Sequence, residues 1–311
     1  MTLNEFRYIV AVARERHFGR AAEACYVSQP TLSVAVKKLE DELGVSLFER
    51  GAGDVTVTAV GERIVEQAQR VLEEADGVKR LARQGKDPLE GPLRLGAIYT
   101  IGPYLLPQLI PLVMDQAPAM PLVIEENFTA VLSERLKHGE LDVILISLPF
   151  SEPGILTQPL YDEPFAVLLP GGHPWAGQEV VDVAQLSGEN VLLLGPGHCF
   201  RDQVLRVCPG CLQSSAASGN MQRSLEGGSL ETIRCMVACG VGVTVLPYTA
   251  TGARHFSERL VRTRPFAGKA PQRRVALAWR KSFPRVEAVD LLARAVRAAG
   301  LEGVSYLERT Q

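Results

Sequence analysis

Apolar residues at Leu3, Phe6, Ile9, Val10 and Ala13 recur three and four positions apart, which sets them on one stripe of a helix. After a break at Arg16-His17 the same spacing returns at Phe18, Ala21, Ala22 and Cys25, with Cys25 reading as a small core residue. Val27-Ser28 interrupts again, and Ser28 is a good N-cap for a third helix carrying Pro30 in its first turn. That helix buries Leu32, Val36, Leu39 and Leu43. At about 100° per residue, Pro30, Val34 and Lys37 fall on the opposite side, flanked by Thr31, Ser33 and Lys38. Two short helices joined by a tight turn, the second displaying small polar and cationic groups, predict a helix-turn-helix. A plain three-helix packing unit has the same periodicity. Residues 46–50 and 55–58, joined by Gly51-Ala52-Gly53-Asp54, predict a wing hairpin.

From Val60 to about Lys86 the pattern becomes one long helix. Ile64, Val71 and Val78 repeat every seven residues, as do Ala68, Ala75 and Ala82, and the two sets form a coiled-coil-like seam. A helix lying against its own domain is the alternative. Gly85-Lys86-Asp87-Pro88 ends it and Gly91-Pro92 opens the next domain. Beyond that, strand patterns at 93–98, 122–126, 143–148, 166–169, 191–194, 241–246 and 275–279 alternate with helical stretches that include 103–116 and 230–239. Alternating units of this kind predict an α/β domain with parallel sheets and ligands near the carboxyl ends of the strands. Thr100 and Thr129 each follow a strand where a helix begins, a place that favours polar or anionic ligands. Thr129 reads equally as the N-cap of a helix over 130–137.

Charge does not announce a partner. The chain of 311 residues has net charge −2, and residues 1–60 hold seven Lys/Arg against eight Asp/Glu. A DNA contact must therefore rest on local placement of cations. Residues 254–297 hold twelve Lys/Arg against three Asp/Glu, a second DNA surface or, more simply, a solvated face with Arg280 turned inward. Glu5 and Arg7 rule out a signal-peptide core, and no apolar run approaches membrane-spanning length, so a cytoplasmic protein is expected.

Five of the six cysteines lie between 199 and 239. Gly195 to Gly197 form a loop after a strand, and His198-Cys199 sits where Phe200, Val204 and Val207 begin a helical repeat. A cysteine at a helix start beside His198 and Arg201 is placed for a lowered pKa, and its thiolate could attack a peroxide oxygen. An inert buried cysteine satisfies the same pattern. Cys208-Pro-Gly-Cys211 is a C-x-x-C unit, and Cys235 and Cys239 lie one helical turn apart. These four either bind zinc or, for Cys235 and Cys239, pack with Ile233, Met236 and Val237.

Phe18-Gly-Arg-Ala-Ala-Glu-Ala-Cys25, Val27-Ser-Gln-Pro-Thr-Leu-Ser33, Lys37-Lys38-Leu39-Glu40, Leu47-Phe48-Glu49-Arg50 and Thr56-Val57-Thr58 with Gly61 resemble the LysR-type transcriptional regulators. The resemblance covers the whole chain. It implies a winged helix-turn-helix at 1–58, a dimerising linker helix at 59–90, and a two-lobed regulatory domain like the periplasmic binding proteins at 91–311. Lobe one would be 91–162 plus 270–311, and lobe two 163–269. It further implies a homotetramer built as a dimer of dimers, double-stranded promoter DNA as target and RNA polymerase as partner. Gln29, Pro30, Thr31, Ser33 and Lys37 would enter the major groove, with Arg20 and Arg50 on phosphates. Val34 departs from the polar residue of many relatives and could touch a thymine methyl.

Gly197-His-Cys-Phe-Arg-Asp-Gln203 with a cysteine nine positions after Cys199 resembles the OxyR-like, peroxide-sensing branch of that family. So do Ala97-Ile-Tyr-Thr-Ile-Gly-Pro-Tyr104, Ile124-Glu-Glu-Asn-Phe-Thr129 and Ala278-Trp-Arg280. The resemblance implies that Cys199 reacts with hydrogen peroxide and then pairs with Cys208; the C-x-x-C spacing sets Cys211 beside it as a competing partner. Thr100, Thr129 and His198 would surround the peroxide, while Asp202, Gln203 and Arg280 orient or polarise the pocket. No cofactor is implied. If 199–208 is helical, the two sulfurs start about 13 Å apart along the axis. A disulfide needs Cα atoms within about 7 Å, so this pairing requires the segment to unwind. A regulator of the same architecture sensing a small organic ligand, and a thiol peroxidase, are the competing functions.

Overall fold

The computed structural model describes residues 1–50, 55–83, 88–209, 226–252 and 259–308. The turn expected at 51–54, the linker end at 84–87 and Cys211 lie outside them, as do the side chains of Arg50 and of 79–83. The chain divides into two compact units, one of residues 1–87 with 282–284 and one of residues 88–281 with 285–311.

In the first unit, α1 (Leu3–Glu15) starts on a capping box between Thr2 and Glu5. The ring of His17 caps α2 (Phe18–Ala24) by accepting from the Gly19 and Arg20 amides. Ser28 caps α3 (Gln29–Leu43), which stops at Gly44 in the left-handed conformation, φ 70°. Ile9, Val12, Ala21, Leu32, Val36, Leu39 and Leu47 are fully buried and form the core. β1 (Phe48–Arg50) and β2 (Val55–Val57) pair antiparallel as the wing. The long α4 (Ala59–Arg83) follows the wing. Val65 and Ala68 join the core of their own domain, whereas Val78, further along the seam, is 66% exposed.

In the second unit, β3 (Leu93–Ile98), β4 (Leu122–Asn127) and β5 (Val143–Leu148) are parallel neighbours. The helices α5 (Gly102–Gln116) and α6 (Thr129–Lys137) link them. The expectation of parallel sheets then fails. Only six residues separate β5 from β6 (Ile155–Pro170), too few for the crossover that a parallel return needs. β6 instead runs antiparallel to β11 (Gln272–Arg280) through Pro164, then continues beside β9 (Thr244–Pro247) and β10 (Val261–Pro265). One continuous strand thus serves both lobes, and the expected lobe boundary at 162 falls in its middle. The second lobe adds β7 (Leu193–Leu194) paired with β8 (Glu226–Gly227), α7 (Cys199–Val207) and α8 (Leu230–Ala238). The helix α9 (Val286–Ala298) and β12 (Ser305–Tyr306) close the chain, β12 pairing with β6. Among the described residues, no helix is long and apolar enough to cross a membrane.

Candidate functional site

Tyr99-Thr100 ends β3 and Phe128-Thr129 ends β4, so two aromatic–threonine pairs stand side by side at the carboxyl edge of the sheet. Tyr99 and Phe128 meet edge to face at 5.4 Å, and His198, from the loop after β7, packs against both rings. It lies 5.8 Å from Tyr99 and 4.8 Å from Phe128, centroid to centroid. Gly197 makes this approach possible: its φ is +94°, and a Cβ there would sit 3.2 Å from the Phe128 ring. Burial lowers the His198 pKa below its usual value, and a hydrogen bond with the Gly228 backbone opposes that only in part. The imidazole is therefore a neutral group near pH 7, not a cation beside Cys199.

Cys199 follows as the first residue of α7, half-buried and a free thiol. Phe200 and Val204 anchor the helix in the core of lobe two. One turn on, Gln203 Nε2 donates to Ser147 Oγ at the end of β5 at 2.8 Å. The first turn of α7 is thus held against three strand ends, by His198 before Cys199 and Gln203 after it. Two buried atoms in this region, Thr129 Oγ1 and Gln203 Oε1, have no hydrogen-bond partner. Unfilled capacity of this kind in a buried site suits a very small hydrogen-bonding guest.

Arg201 is committed elsewhere, to the Leu194 carbonyl at 2.6 Å and Glu226 at 2.7 Å. Cys208 caps the far end of α7, is 3% exposed in the lobe-two core, and is disulfide-bonded. Cys25, Cys199, Cys235 and Cys239 are free thiols, so none of them is its partner. Cys199 thus opens the nine-residue helix α7 and Cys208 follows its last residue.

On the DNA-facing candidate, Gln29, Pro30, Thr31 and Lys37 are exposed along α3, with Ser33 half-buried. Val34 is 69% exposed in their midst. Arg20 is exposed while donating to the Glu15 carbonyl at 2.7 Å.

Two family patterns match this chain: the bacterial regulatory helix-turn-helix protein, lysR family, over residues 3–62, and the LysR substrate binding domain over residues 86–300. The chain belongs to the LysR family. The DNA-binding transcriptional dual regulator OxyR of Escherichia coli K12 is 39% identical over 298 residues, covering 96% of this chain and 95% of that protein. A full-length cysteine-to-aspartate variant of OxyR from Pseudomonas aeruginosa is 52% identical with a TM-score of 0.81, covering 100% and 99% of the two chains. A hydrogen-peroxide-bound cysteine-to-serine variant of Corynebacterium glutamicum OxyR is 33% identical with a TM-score of 0.64, covering 97% and 93%.

Within this LysR-family frame, two expected pocket residues and one expected helix cap need correction. Arg280 donates to the carbonyls of Leu136 and Leu141 and stands 3.9 Å from Asp142. It fastens α6 to lobe one and does not reach the pocket. Asp202 is exposed on the outer side of α7, because the face toward the strand ends is taken by Gln203 and Cys199. Thr129 is the first residue of α6 and not its cap, since Phe128 holds that position, which leaves the hydroxyl uncommitted.

The arginine that does reach the site is Arg273. Its guanidinium donates to Thr100 Oγ1 at 2.9 Å, to the Thr100 carbonyl at 2.8 Å and to Glu163 Oε2 at 2.7 Å. It also stands 5.6 Å over the Phe200 ring. Ser147, Tyr99 and Phe128 were likewise passed over. A repeated aromatic–threonine pair after successive strands was the available signal for the last two.

Proposed function

We propose that the chain is a DNA-binding transcription regulator that senses hydrogen peroxide at Cys199 and reports it by joining Cys199 to Cys208. The observation that carries the reading is a free Cys199 thiol at the start of α7, with Gln203 Oε1 one turn on and Thr129 Oγ1 at the start of α6 both buried and unfilled. A peroxide oxygen both donates and accepts, so it can engage a hydroxyl and an amide oxygen at once. The Cys199 thiol gives up its proton, the thiolate attacks one peroxide oxygen, the O–O bond breaks, and the departing hydroxide takes up that proton and leaves as water. The sulfenic acid that remains is attacked by the Cys208 thiol; an S–S bond forms and a second water leaves.

In the described state Cys208 is already in a disulfide, so this step draws on Cys208 only once that bridge is reduced. To meet Cys199, Cys208 must leave the core and α7 must unwind. Exposing Phe200 and Val204 costs about 3–6 kcal/mol together, which keeps the unoxidised helix in place until a covalent bond holds it open. One peroxide is consumed per cycle, and the output is a changed DNA contact. In this reading the working form is a cytoplasmic homotetramer, a dimer of dimers paired along α4. It acts on double-stranded promoter DNA with RNA polymerase as downstream partner. The exposed Val78 on the α4 seam supports the pairing.

The test reduces the chain fully, adds one equivalent of peroxide, and follows thiol count, peptide map and DNA footprint together. Loss of two thiols, a Cys199–Cys208 peptide and a shifted footprint are expected, all absent in Cys199→Ser. A peroxide-dependent footprint surviving in Cys199→Ser would transfer the function to a ligand in the cleft. A bridge mainly to Cys211 would overturn the assignment of Cys208.

A further inference from the structure

The helix α8 buries Leu230, Ile233, Arg234 and Val237. Its opposite face carries Cys235 and Cys239, both exposed and both free thiols. The expectation that these two pack inward is therefore not met, and the peroxide chemistry does not use them. The Cys239 amide donates to the Cys235 carbonyl at 3.0 Å, so a closed helical turn sets their spacing. Neighbours at this spacing have Cβ atoms about 5–6 Å apart.

That distance discriminates between two fates of a dithiol. A disulfide needs Cβ atoms about 3.5–4.5 Å apart, which an intact turn does not provide. A bridging atom with bonds to sulfur of about 2.3 Å holds the sulfurs about 3.8 Å apart at a tetrahedral angle, and this spans one turn without distortion. Soft thiolates select soft centres. Zinc in a structural site takes four protein ligands, and no group of three or more His, Cys, Asp or Glu that could hold a metal occurs among the described residues. A centre satisfied by two sulfurs fits better.

We propose that Cys235 and Cys239 form a chelating dithiol on the surface of the regulatory unit for thiophilic centres of low coordination number, with trivalent organoarsenicals as the ligand class. For an arsenoxide, each thiol forms one As–S bond. The two protons leave with the arsenic-bound oxygen as water, and no atom changes oxidation state. The site lies on the helix whose N-terminal flank meets His198: Ser229 caps α8, and the Gly228 backbone just before it hydrogen-bonds His198.

The test uses the full chain, reduced with a phosphine, and phenylarsine oxide as probe. In a Cys199→Ser, Cys208→Ala, Cys211→Ser background only Cys25, Cys235 and Cys239 remain. Intact mass should show one arsenical per chain with two thiols lost, stable to glutathione and released by a small dithiol. Adding Cys235→Ser or Cys239→Ser should weaken binding about 100-fold or more, since the second, intramolecular bond is gone. Both are exposed, so circular dichroism should show an unchanged fold. The same single replacements in the otherwise natural chain should lower the number of arsenicals bound by one. An adduct that persists in Cys235→Ser, one that glutathione strips from the parent, or rapid closure of a Cys235–Cys239 disulfide by diamide would each overturn the proposal. None of these outcomes bears on the Cys199 reading, which the peroxide assay tests separately.

Discussion

Arg273 Nη1 donates to the Thr100 hydroxyl at 2.9 Å while Nε of the same guanidinium pairs with Glu163 at 2.7 Å. The Arg273 and Glu163 side chains are fully buried, and Thr249 donates to Glu163 from the other side through its amide at 2.8 Å. One cation thereby ties the end of β3 to β6, and through Phe200 to the helix that carries Cys199. Replacing it with alanine would leave the Glu163 carboxylate buried without its cation. Arg273→Ala should lower the stability of the regulatory unit by about 3–5 kcal/mol. Urea unfolding followed by tryptophan fluorescence checks this, because both tryptophans, Trp175 and Trp279, lie in the second unit. Arg273→Lys keeps the charge but loses the fork, and should fall between the two. Natural stability in Arg273→Ala would show that the pair contributes nothing.

Gln203 and Arg280 should separate cleanly in mutagenesis. Gln203 offers a free acceptor in the pocket, so Gln203→Ala should slow peroxide reduction by about 2–10-fold, with little change in urea midpoint. Arg280→Ala should do the opposite. It strips a buried donor from two carbonyls, at about 1–3 kcal/mol for each left unpaired, and leaves the rate constant of the folded protein alone. Stopped-flow consumption of one peroxide equivalent, beside unfolding curves, decides both.

His198 makes the regulatory unit acid-sensitive. Burial depresses its pKa below the ordinary value of 6.5, so between the two values the unfolded chain binds a proton that the folded chain refuses. Stability from this group is present above about pH 6.5 and is lost as pH falls toward the depressed value. The urea midpoint should drop from about pH 7.5 to 5.5, more steeply in the natural chain than in His198→Gln. Parallel slopes in the two proteins would remove His198 as the cause.

Val34 stands on the outer face of α3 among Pro30, Thr31 and Lys37, and 69% of it is open to solvent. A valine has no donor or acceptor for a base edge, but it can cover the methyl group that marks thymine in the major groove. Operators in which single thymines are replaced by deoxyuridine should reveal one position per half-site where the natural chain loses affinity. Val34→Ala should bind both operators alike. Gel-shift titration at fixed salt reads the difference, and equal discrimination by the two proteins would place that contact elsewhere.

Much of this molecule is local, and local structure is legible. The cap at Ser28 and the seven-residue spacing of α4 follow from propensity and period, which adjacent residues carry. The same holds for α7: Phe200 and Val204 predict the helix, and nine residues of it place Cys199 and Cys208 at opposite ends. What sequence could not supply were partnerships across long separations. Arg273 and Arg280 lie on one strand and look alike as side chains, yet one reaches Glu163 and Thr100 while the other reaches the carbonyls of Leu136 and Leu141 at and beyond the C-terminal end of α6. The path of β6 through both lobes decides which. For Cys235 and Cys239 the sequence leaves packing and zinc binding side by side, and the burial of Ile233 and Val237 turns both to solvent. The sequence alone determined the helices of the first unit, the long α4 and the helix that begins at Cys199. Only the tertiary structure decided which buried cation serves the site, because burial and pairing depend on neighbours that the chain brings together from more than a hundred residues away.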